Sequence, residues 1–472
     1  MTSRHTRRIL SATCVAACLI AAGCTSRESA LRDVRNRRVL RYSRWLAERT
    51  DERRGTISGP LSMADSVHIA LANSRDVRTI VLEKEKAGYR VRGAYAEALP
   101  TADINGTYTR LDRNPPYGAG IRGSPNVYSL QGTVSQPLYR GGLIGAGIRA
   151  AKLYALLVDE QQRGAFQTVI YDVRRAYCDA LLADALARAT AEAETVAGRR
   201  LDDVHKDRDA GAASDFDVLR AEVEVKTLTA EHVSARNRQR LAVASLLNLM
   251  GVSQDSQVSL SDELAYRPMH PTVEQAVGDA FRNHPELLES ELAIRVQAEA
   301  VVAARSDHFP ELDAFFTQSL DRPNPFDPTR EQWEGSWVTG LTLNIPLFRG
   351  FRTVSAVREE KATLRQTEVA LRDAEERILL AIRQAMFNLE AAAKAVESQQ
   401  ANIEQAREAL RLAELGFKEG ALKEIDRLDA RRSLTRAQAG FAQALYDHAL
   451  ARLQFEQATG GLTPPSSDAA EE

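Results

Sequence analysis

A run of 117 residues without proline, at 347–463, places the strongest constraint on how this chain can fold. Proline disrupts helix interiors, so its absence over such a length favours very long helices. The apolar residues of this run recur in steps of four and three, with Gln399 in the one polar gap, and this spacing predicts the seam of a coiled coil. The seam residues are Ile378, Ile382, Ala385, Leu389, Ala392, Val396, Ile403, Ala406, Leu410, Ala413 and Phe417.

One column of this seam carries large side chains and the other is mostly alanine, which allows neighbouring helices to approach closely. We therefore expect the helices to pack side by side into a wall. The helical stretch at 353–418 would reach roughly 100 Å at about 1.5 Å per residue, so the periodicity favours one elongated body. The formal charge of the chain is only -2, and we expect no nucleic-acid partner.

The N-terminus has the pattern of an exported protein. Residues 1–23 are predicted to be a signal peptide, with an arginine-rich start, an apolar segment and small residues before Cys24. This arrangement resembles a bacterial lipoprotein signal, in which the cysteine that follows the cleavage site is acylated. A plain secretory signal with an unmodified Cys24 is the alternative.

Residues 24–60 then form a basic arm. Ten arginines stand against five acids between residues 27 and 54. We expect this arm to be a lipid-anchored, solvated tether. The alternative is that it lies on acidic lipid headgroups.

The pattern changes from helical to alternating at Pro100, which ends a helix predicted at 61–99. Two strands are predicted at about 101–111 and 127–138, and each has one apolar and one polar face. Strands of this kind are typical of a membrane β-barrel whose lumen is wet.

The second half of the chain repeats the first at an offset of 209 or 210 residues. Both strand exits carry a proline and then glycine, which allow the chain to leave the sheet and turn into a helix. These exit residues are Pro137, Gly141 and Gly142 in the first copy and Pro346 and Gly350 in the second. The predicted division is a first repeat at 61–270, a second at 271–461 with strands at about 311–320 and 336–347, and a disordered tail at 462–472.

Four strands per chain cannot close a barrel, and lipid does not tolerate an open sheet edge. Several chains must therefore pool their strands. Three chains give twelve strands and a ring of six similar repeats, so we predict a homotrimer, although the arithmetic alone leaves other oligomers open. The predicted fold is mainly α with a small β part: long antiparallel helical hairpins forming an α-barrel, plus four transmembrane strands per chain.

These features resemble the TolC family of outer-membrane efflux proteins over nearly the whole chain, from about residue 61 to 461. The most specific signals are the duplicated order of elements, the twin strand exits and the helix turn at 420–430. The resemblance implies an outer-membrane barrel that continues as a helical tunnel across the periplasm. It also implies a periplasmic adaptor protein and an inner-membrane transporter as partners, in an efflux or type I secretion system.

Under this resemblance, two helix turns lie at the closable periplasmic end and contact the adaptor. The turn residues are Gly211, Ser214, Gly420, Leu422 and Lys423. Ser214 and Asp217 also have the spacing of a capping box that starts a new helix.

Asp426 and Asp429 are three residues apart and share a helix face. In a trimer they, with Asp217 as the counterpart of Asp426, would form carboxylate rings that attract cations. The alternative is that these aspartates only complement a helix macrodipole, with neighbouring arginines as partners. Those arginines are Arg427, Arg431 and Arg432. The residues leave both interpretations open, and the resemblance favours a gate.

Other function classes find little support. The histidines are scattered without metal-ligand spacing, and a GxGxxG pattern at 118–123 lies between hairpin strands rather than between a strand and a helix. We therefore expect no catalytic residue, metal or cofactor. The remaining alternative is an exported coiled-coil scaffold lipoprotein without a pore, which would not need the alternating strands.

Overall fold

The computed structural model describes residues 27–50, 57–113, 116–117, 121–122, 124–327 and 330–463. The chain divides into two units, one of residues 1–60 with 251–259 and one of residues 61–250 with 260–472. The predicted signal peptide, Cys24 and most of the predicted tail lie outside the described residues, as does most of the GxGxxG segment.

The first unit contains helix α1 (Arg27–Thr50) and all but the last residue of each of the paired strands β1 (Ser58–Leu61) and β6 (Gln257–Leu260). The prediction of a tether did not include this helix. It forms because the segment contains no proline or glycine and is rich in arginine, which favours helices. The side chains of residues 31–44 are all exposed.

The second unit is built from eight further helices in the described part of the chain. They are α2 (Met63–Asn73), α3 (Arg75–Ala96), α4 (Leu143–Asp209), α5 (Asp215–Leu249), α6 (Val273–Asn283), α7 (Pro285–Ser306), α8 (Arg352–Lys418) and α9 (Glu424–Ala458). Both α4 and α8 have 67 residues, or about 100 Å. None of the described helices has a stretch long and apolar enough to cross a membrane.

The single helix predicted at 61–99 is wrong, because Ser74 divides it into α2 and α3. The Ser74 N–H donates to the Ala70 carbonyl at 2.7 Å, while its hydroxyl accepts from the N–H of Asp76 at 3.2 Å. One serine therefore ends one helix and caps the next.

The long helices pack as two hairpins in a defined order. α5 packs against α4, α4 against α9, and α9 against α8. This order leaves α5 and α8 as the outer members of the four-helix layer.

The seam predicted along α8 is buried. Ile382 is fully buried and Leu389 is 3% exposed, while Leu410 and Phe417 are half-buried. Burial of one such aliphatic side chain contributes about 1.5–3 kcal/mol. An apolar cluster joins four helices, and its members include Ala280 of α6, Leu287 of α7, Ile382 of α8 and Phe455 of α9.

Four long strands form one antiparallel sheet in the order β2-β5-β7-β8. They are β2 (Thr101–Arg110), β5 (Asn126–Arg140), β7 (Glu311–Arg322) and β8 (Glu334–Asn344), with a small hairpin of β3 (Pro116–Tyr117) and β4 (Ile121–Arg122) after β2. Among the described residues, β2 and β8 each pair on one side only. The sheet of one chain is therefore open at both edges.

The two strand exits differ more than the sequence repeat predicts. Strand β5 continues past Pro137 to Arg140, with a register shift between Pro137 and Tyr139 that accommodates a residue unable to donate a hydrogen bond. Strand β8 instead ends at Asn344, and residues 345–349 pair with no strand in the described part of the chain.

Candidate functional site

The first helix turn joins α4 to α5. Gly211 has a φ of 77°, a left-handed conformation that favours glycine. Its N–H donates to the Arg208 carbonyl at 2.8 Å, and the N–H of Ala212 donates to the Asp207 carbonyl at 2.7 Å. These bonds close the end of α4 and reverse the chain.

Ser214 and Asp217 start α5 as the predicted capping box. The Ser214 N–H donates to Asp217 Oδ2 at 3.0 Å, and the Asp217 N–H donates to Ser214 Oγ at 3.3 Å. The Ser214 hydroxyl also donates to Asp217 Oδ2 at 2.6 Å. The hydroxyl and then the backbone N–H of Ser214 lower the pKa of Asp217, so this carboxylate is ionised at neutral pH.

The second turn joins α8 to α9 with the same backbone course. Gly420 has a φ of 73°, and the N–H of Leu422 donates to the Gly416 carbonyl at 3.1 Å. The Lys423 N–H donates to Asp426 Oδ2 at 2.9 Å. Lysine has no side-chain acceptor, so this turn retains only one of the two backbone hydrogen bonds of the capping box.

Asp426 and Asp429 are both exposed near the start of α9. The arginines considered as their partners bind glutamates instead. These pairs are Arg427 with Glu424 at 2.8 Å, Arg431 with Glu414 at 2.8 Å and Arg432 with Glu224 at 3.2 Å. Within the described residues of one chain, neither aspartate forms an ion pair.

Two ion pairs join the hairpins near these turns, and the sequence did not predict them. Arg200 of α4 donates to Glu424 of α9 at 2.9 Å. Glu424 also accepts from Arg427 at 2.8 Å, and the guanidinium of Arg427 lies 4.6 Å from the centre of the Phe417 ring. The second connection is Arg432 of α9 with Glu224 of α5.

The strand exits depend on left-handed residues. Gly141 and Gly142 have φ values of 60° and 90°, and a Cβ on Gly141 would lie 2.5 Å from the Ser306 carbonyl oxygen. The corresponding pair in the second copy is Gly350 with φ 59° and Phe351 with φ 62°. The left-handed backbone conformation of Phe351 costs about 1–2 kcal/mol of conformational energy. The sequence did not predict this conformation, although the repeat offset of 209 residues aligns Phe351 with Gly142 and could have indicated it.

The open sheet has one apolar and one polar face. The pairing register of the strands places eight large apolar side chains on one face, and all of them are exposed in one chain. They are Ile104, Leu130, Val134, Phe316, Leu320, Trp337, Leu341 and Leu343. The other face carries Asp103, Asn105, Thr107, Ser129, Gln131, Thr133, Thr317, Ser319 and Ser336. A sheet of this composition suits lipid on one side and water on the other.

Exposed apolar side chains also follow the two outer helices. On α5, Phe216 and Val223 are seven residues apart and are 70% and 64% exposed; on α8, Leu380 and Phe387 have the same spacing and are 56% and 70% exposed. Spacing of seven residues marks a coiled-coil seam, so both outer helices have an apolar face suited to another helix.

No group of three or more His, Cys, Asp or Glu side chains in the described part of the chain is placed to hold a metal ion.

Comparison with known proteins identifies the family. The sequence model described as "Outer membrane efflux protein" matches residues 67–252 and 276–461. The chain belongs to this family. It is 25% identical to the alkaline protease secretion protein AprF of Pseudomonas aeruginosa, over 84% of each chain. It is 24% identical to the outer membrane protein TolC of Vibrio cholerae, over 87% of this chain and 93% of that protein.

Solved structures show the same fold. The CmeC outer membrane channel of Campylobacter jejuni matches with a TM-score of 0.74 at 17% identity, over 87% of this chain and 88% of that one. The predicted combination of long helices with a small β part is therefore confirmed.

The family resemblance and the outer-membrane location predicted from the sequence are also confirmed. The protein is an outer-membrane channel of the efflux and secretion type, and the alternative of a scaffold without a pore is not supported.

Proposed function

We propose that this protein is the exit duct of a tripartite efflux or type I secretion system, through which a pump elsewhere drives the cargo. The observation that carries the proposal is the sheet with one apolar face, one polar face and two open edges. In lipid such a sheet must close with other copies, because unpaired backbone groups are not tolerated there. The closed sheet has its polar face towards a wet pore.

A homotrimer is the assembly that fits these edges. Strand β8 of one copy pairs with β2 of the next, so that three copies give twelve strands. In the same ring, α8 of one copy packs against α5 of the next and covers exposed apolar side chains of α5 such as Phe216 and Val223. Both the sheet and the helical layer of one chain therefore require a neighbouring copy at each edge.

The two helix turns form the closable periplasmic end in this proposal. Asp426 and Asp429 of three copies form stacked carboxylate rings, and Asp217 adds a third carboxylate per subunit near the same end. Support comes from the exposure of Asp426 and Asp429 and from the pairing of the neighbouring arginines with glutamates. Rings of like charge attract cations.

The contacts of Arg200 with Glu424 and of Arg432 with Glu224 hold the two hairpins of one subunit together at this end. Opening requires the hairpins to separate, so these ion pairs stabilise the closed state of the channel.

A periplasmic adaptor docks on the turns and an inner-membrane transporter supplies the cargo. The proposed adaptor contacts are Gly211, Ser214, Gly420, Leu422 and Lys423. Leu422 supports this assignment, because it is 40% exposed at the second turn and exposed apolar side chains favour protein contacts. Acylation of Cys24 would anchor the chain to the outer membrane.

The gate is tested with purified protein in planar bilayers. Asp426→Asn with Asp429→Asn should raise the Mg²⁺ concentration needed for half block from the periplasmic side by about ten-fold, because two carboxylates per subunit lose their charge. Asp447→Asn is the matched control, since Asp447 is exposed on the same helix but about 27 Å from Asp429. Unchanged block in the double variant would refute the gate assignment.

A further inference from the structure

Helix α1 carries apolar and basic side chains that play no part in the proposed duct. All side chains between residues 31 and 44 are exposed. Six arginines and one acid fall in this window. The apolar residues, at 51–69% exposure, are Leu31, Val34, Val39, Leu40 and Tyr42.

The helical period places these residues unevenly around α1. Successive residues are about 100° apart, so Leu31, Val34 and Tyr42 share one face with Arg35 and Arg38. Val39 lies at the edge of this face, and Leu40 is on the far side.

The one acid of the window, Asp33, also lies on the far side. Its carboxylate binds Arg37 at 2.7 Å. Within residues 31–44, the face that carries Leu31, Val34 and Tyr42 is therefore the one without negative charge.

We propose that the face of α1 defined by Leu31, Val34, Arg35, Arg38 and Tyr42 binds the anionic phospholipid surface of the membrane. Arginine stems can lie along apolar surface while their guanidinium groups reach phosphate, and an interfacial helix combines such side chains on one face. An acidic protein is the alternative occupant of this face, and the accessibility measurements below distinguish it from lipid. The inference uses the outer-membrane location of the protein and is independent of the gate.

The test uses the full-length protein reconstituted in nanodiscs of phosphatidylcholine, with or without phosphatidylglycerol. A nitroxide is attached to a cysteine in place of Val34 on the proposed face or Asn36 on the far side, with the buried Cys178 replaced by serine. With phosphatidylglycerol, the Val34 label should become accessible to oxygen and protected from a water-soluble nickel complex. The Asn36 label should remain accessible to nickel.

Two pairs of arginine substitutions separate docking from simple charge attraction. Arg35→Gln with Arg38→Gln should lower the ratio of lipid-bound to free α1 by about 25-fold, since each arginine near an anionic surface contributes about five-fold. Arg37→Gln with Arg44→Gln removes the same charge from the other side and should have a much smaller effect. The measurement is repeated with Cys24→Ser, which removes the predicted acyl anchor and also any label on an unmodified Cys24 thiol.

Three results would overturn the inference. These are equal label accessibility with and without phosphatidylglycerol, equal effects of the two arginine pairs, and protection of the Val34 label from oxygen as well as from the nickel complex, which would mean that protein covers the face. Channel conductance of the same preparations is measured in parallel. Absence of conductance in every preparation, including the unsubstituted protein, would count against the duct, whereas loss of lipid contact with conductance retained would count against the assignment of α1.

Discussion

Arg200→Gln should open the channel, because it removes the hydrogen bond between α4 and α9 without leaving Glu424 unpaired. Arg200 Nε donates to Glu424 Oε1 at 2.9 Å, and Glu424 keeps its second partner, Arg427, at 2.8 Å. The substitution therefore weakens the connection between the hairpins and leaves the local pair within α9 intact.

The size of the effect follows from the exposure of the pair. A hydrogen bond between charged groups contributes about 1.5–3 kcal/mol, but the side chains of Arg200 and Glu424 are 23% and 29% exposed, and solvent screening lowers this to about 1–2 kcal/mol. Three subunits opening together lose about 3–6 kcal/mol of closed-state stability. The ratio of open to closed channels should rise by about 10²–10⁴.

Single-channel recording in planar bilayers measures this ratio directly, and Arg427→Gln provides the matched control. That variant breaks the pair between Arg427 and Glu424 within one helix but keeps the bond from Arg200, so its channels should remain mostly closed. High salt should narrow the difference between wild type and Arg200→Gln, since the pair is partly exposed.

Equal opening by Arg200→Gln and Arg427→Gln would refute the proposed role of the ion pair between Arg200 and Glu424 in closing the channel. A general loosening of the turn would then explain the opening of both variants. No change in either variant would also refute it.

Two further predictions concern folding and reactivity. Gly141→Ala should reduce the yield of heat-modifiable trimer on unboiled gels far more than Gly350→Ala. Both glycines are left-handed, but only at Gly141 would a Cβ meet backbone, 2.5 Å from the Ser306 oxygen; similar yields would contradict this. Cys178 should react with iodoacetamide at pH 8 about a thousand-fold more slowly in the folded than in the unfolded protein, because burial and then the charge of Asp179 raise its pKa from 9.0 to about 12. Comparable rates would show that the thiol is accessible.

Much of the fold was predictable from residue patterns. The seam from Ile378 to Phe417 repeats in steps of three and four over many turns, and a pattern of that length leaves little freedom in the choice of secondary structure. The alternating strands were predictable for the same reason, since their side chains switch faces at every residue. Ser74 was missed because one serine can either continue a helix or cap the next one.

The candidate site was only partly predictable. Glycines at the turns and the pair of Ser214 with Asp217 are local features, which sequence spacing reveals directly. The pairing of Glu424 with Arg200 joins residues 224 positions apart, and no local pattern selects that arginine from the many on α4. The left-handed conformation of Phe351 could not be predicted from its residue type, because bulky side chains rarely adopt a positive φ.

The sequence by itself determined the long helices, the amphipathic strands and their duplication, because each is set by the period at which apolar residues recur. Only the tertiary structure decided which elements form the edges. The order of the helical layer places the exposed faces of α5 and α8 on the outside, and the sheet order leaves β2 and β8 unpaired on one side among the residues that the structure describes. It also decided that Arg427, Arg431 and Arg432 bind glutamates rather than Asp426 or Asp429. Such choices depend on which helices lie next to each other, and that arrangement is set by packing between distant segments.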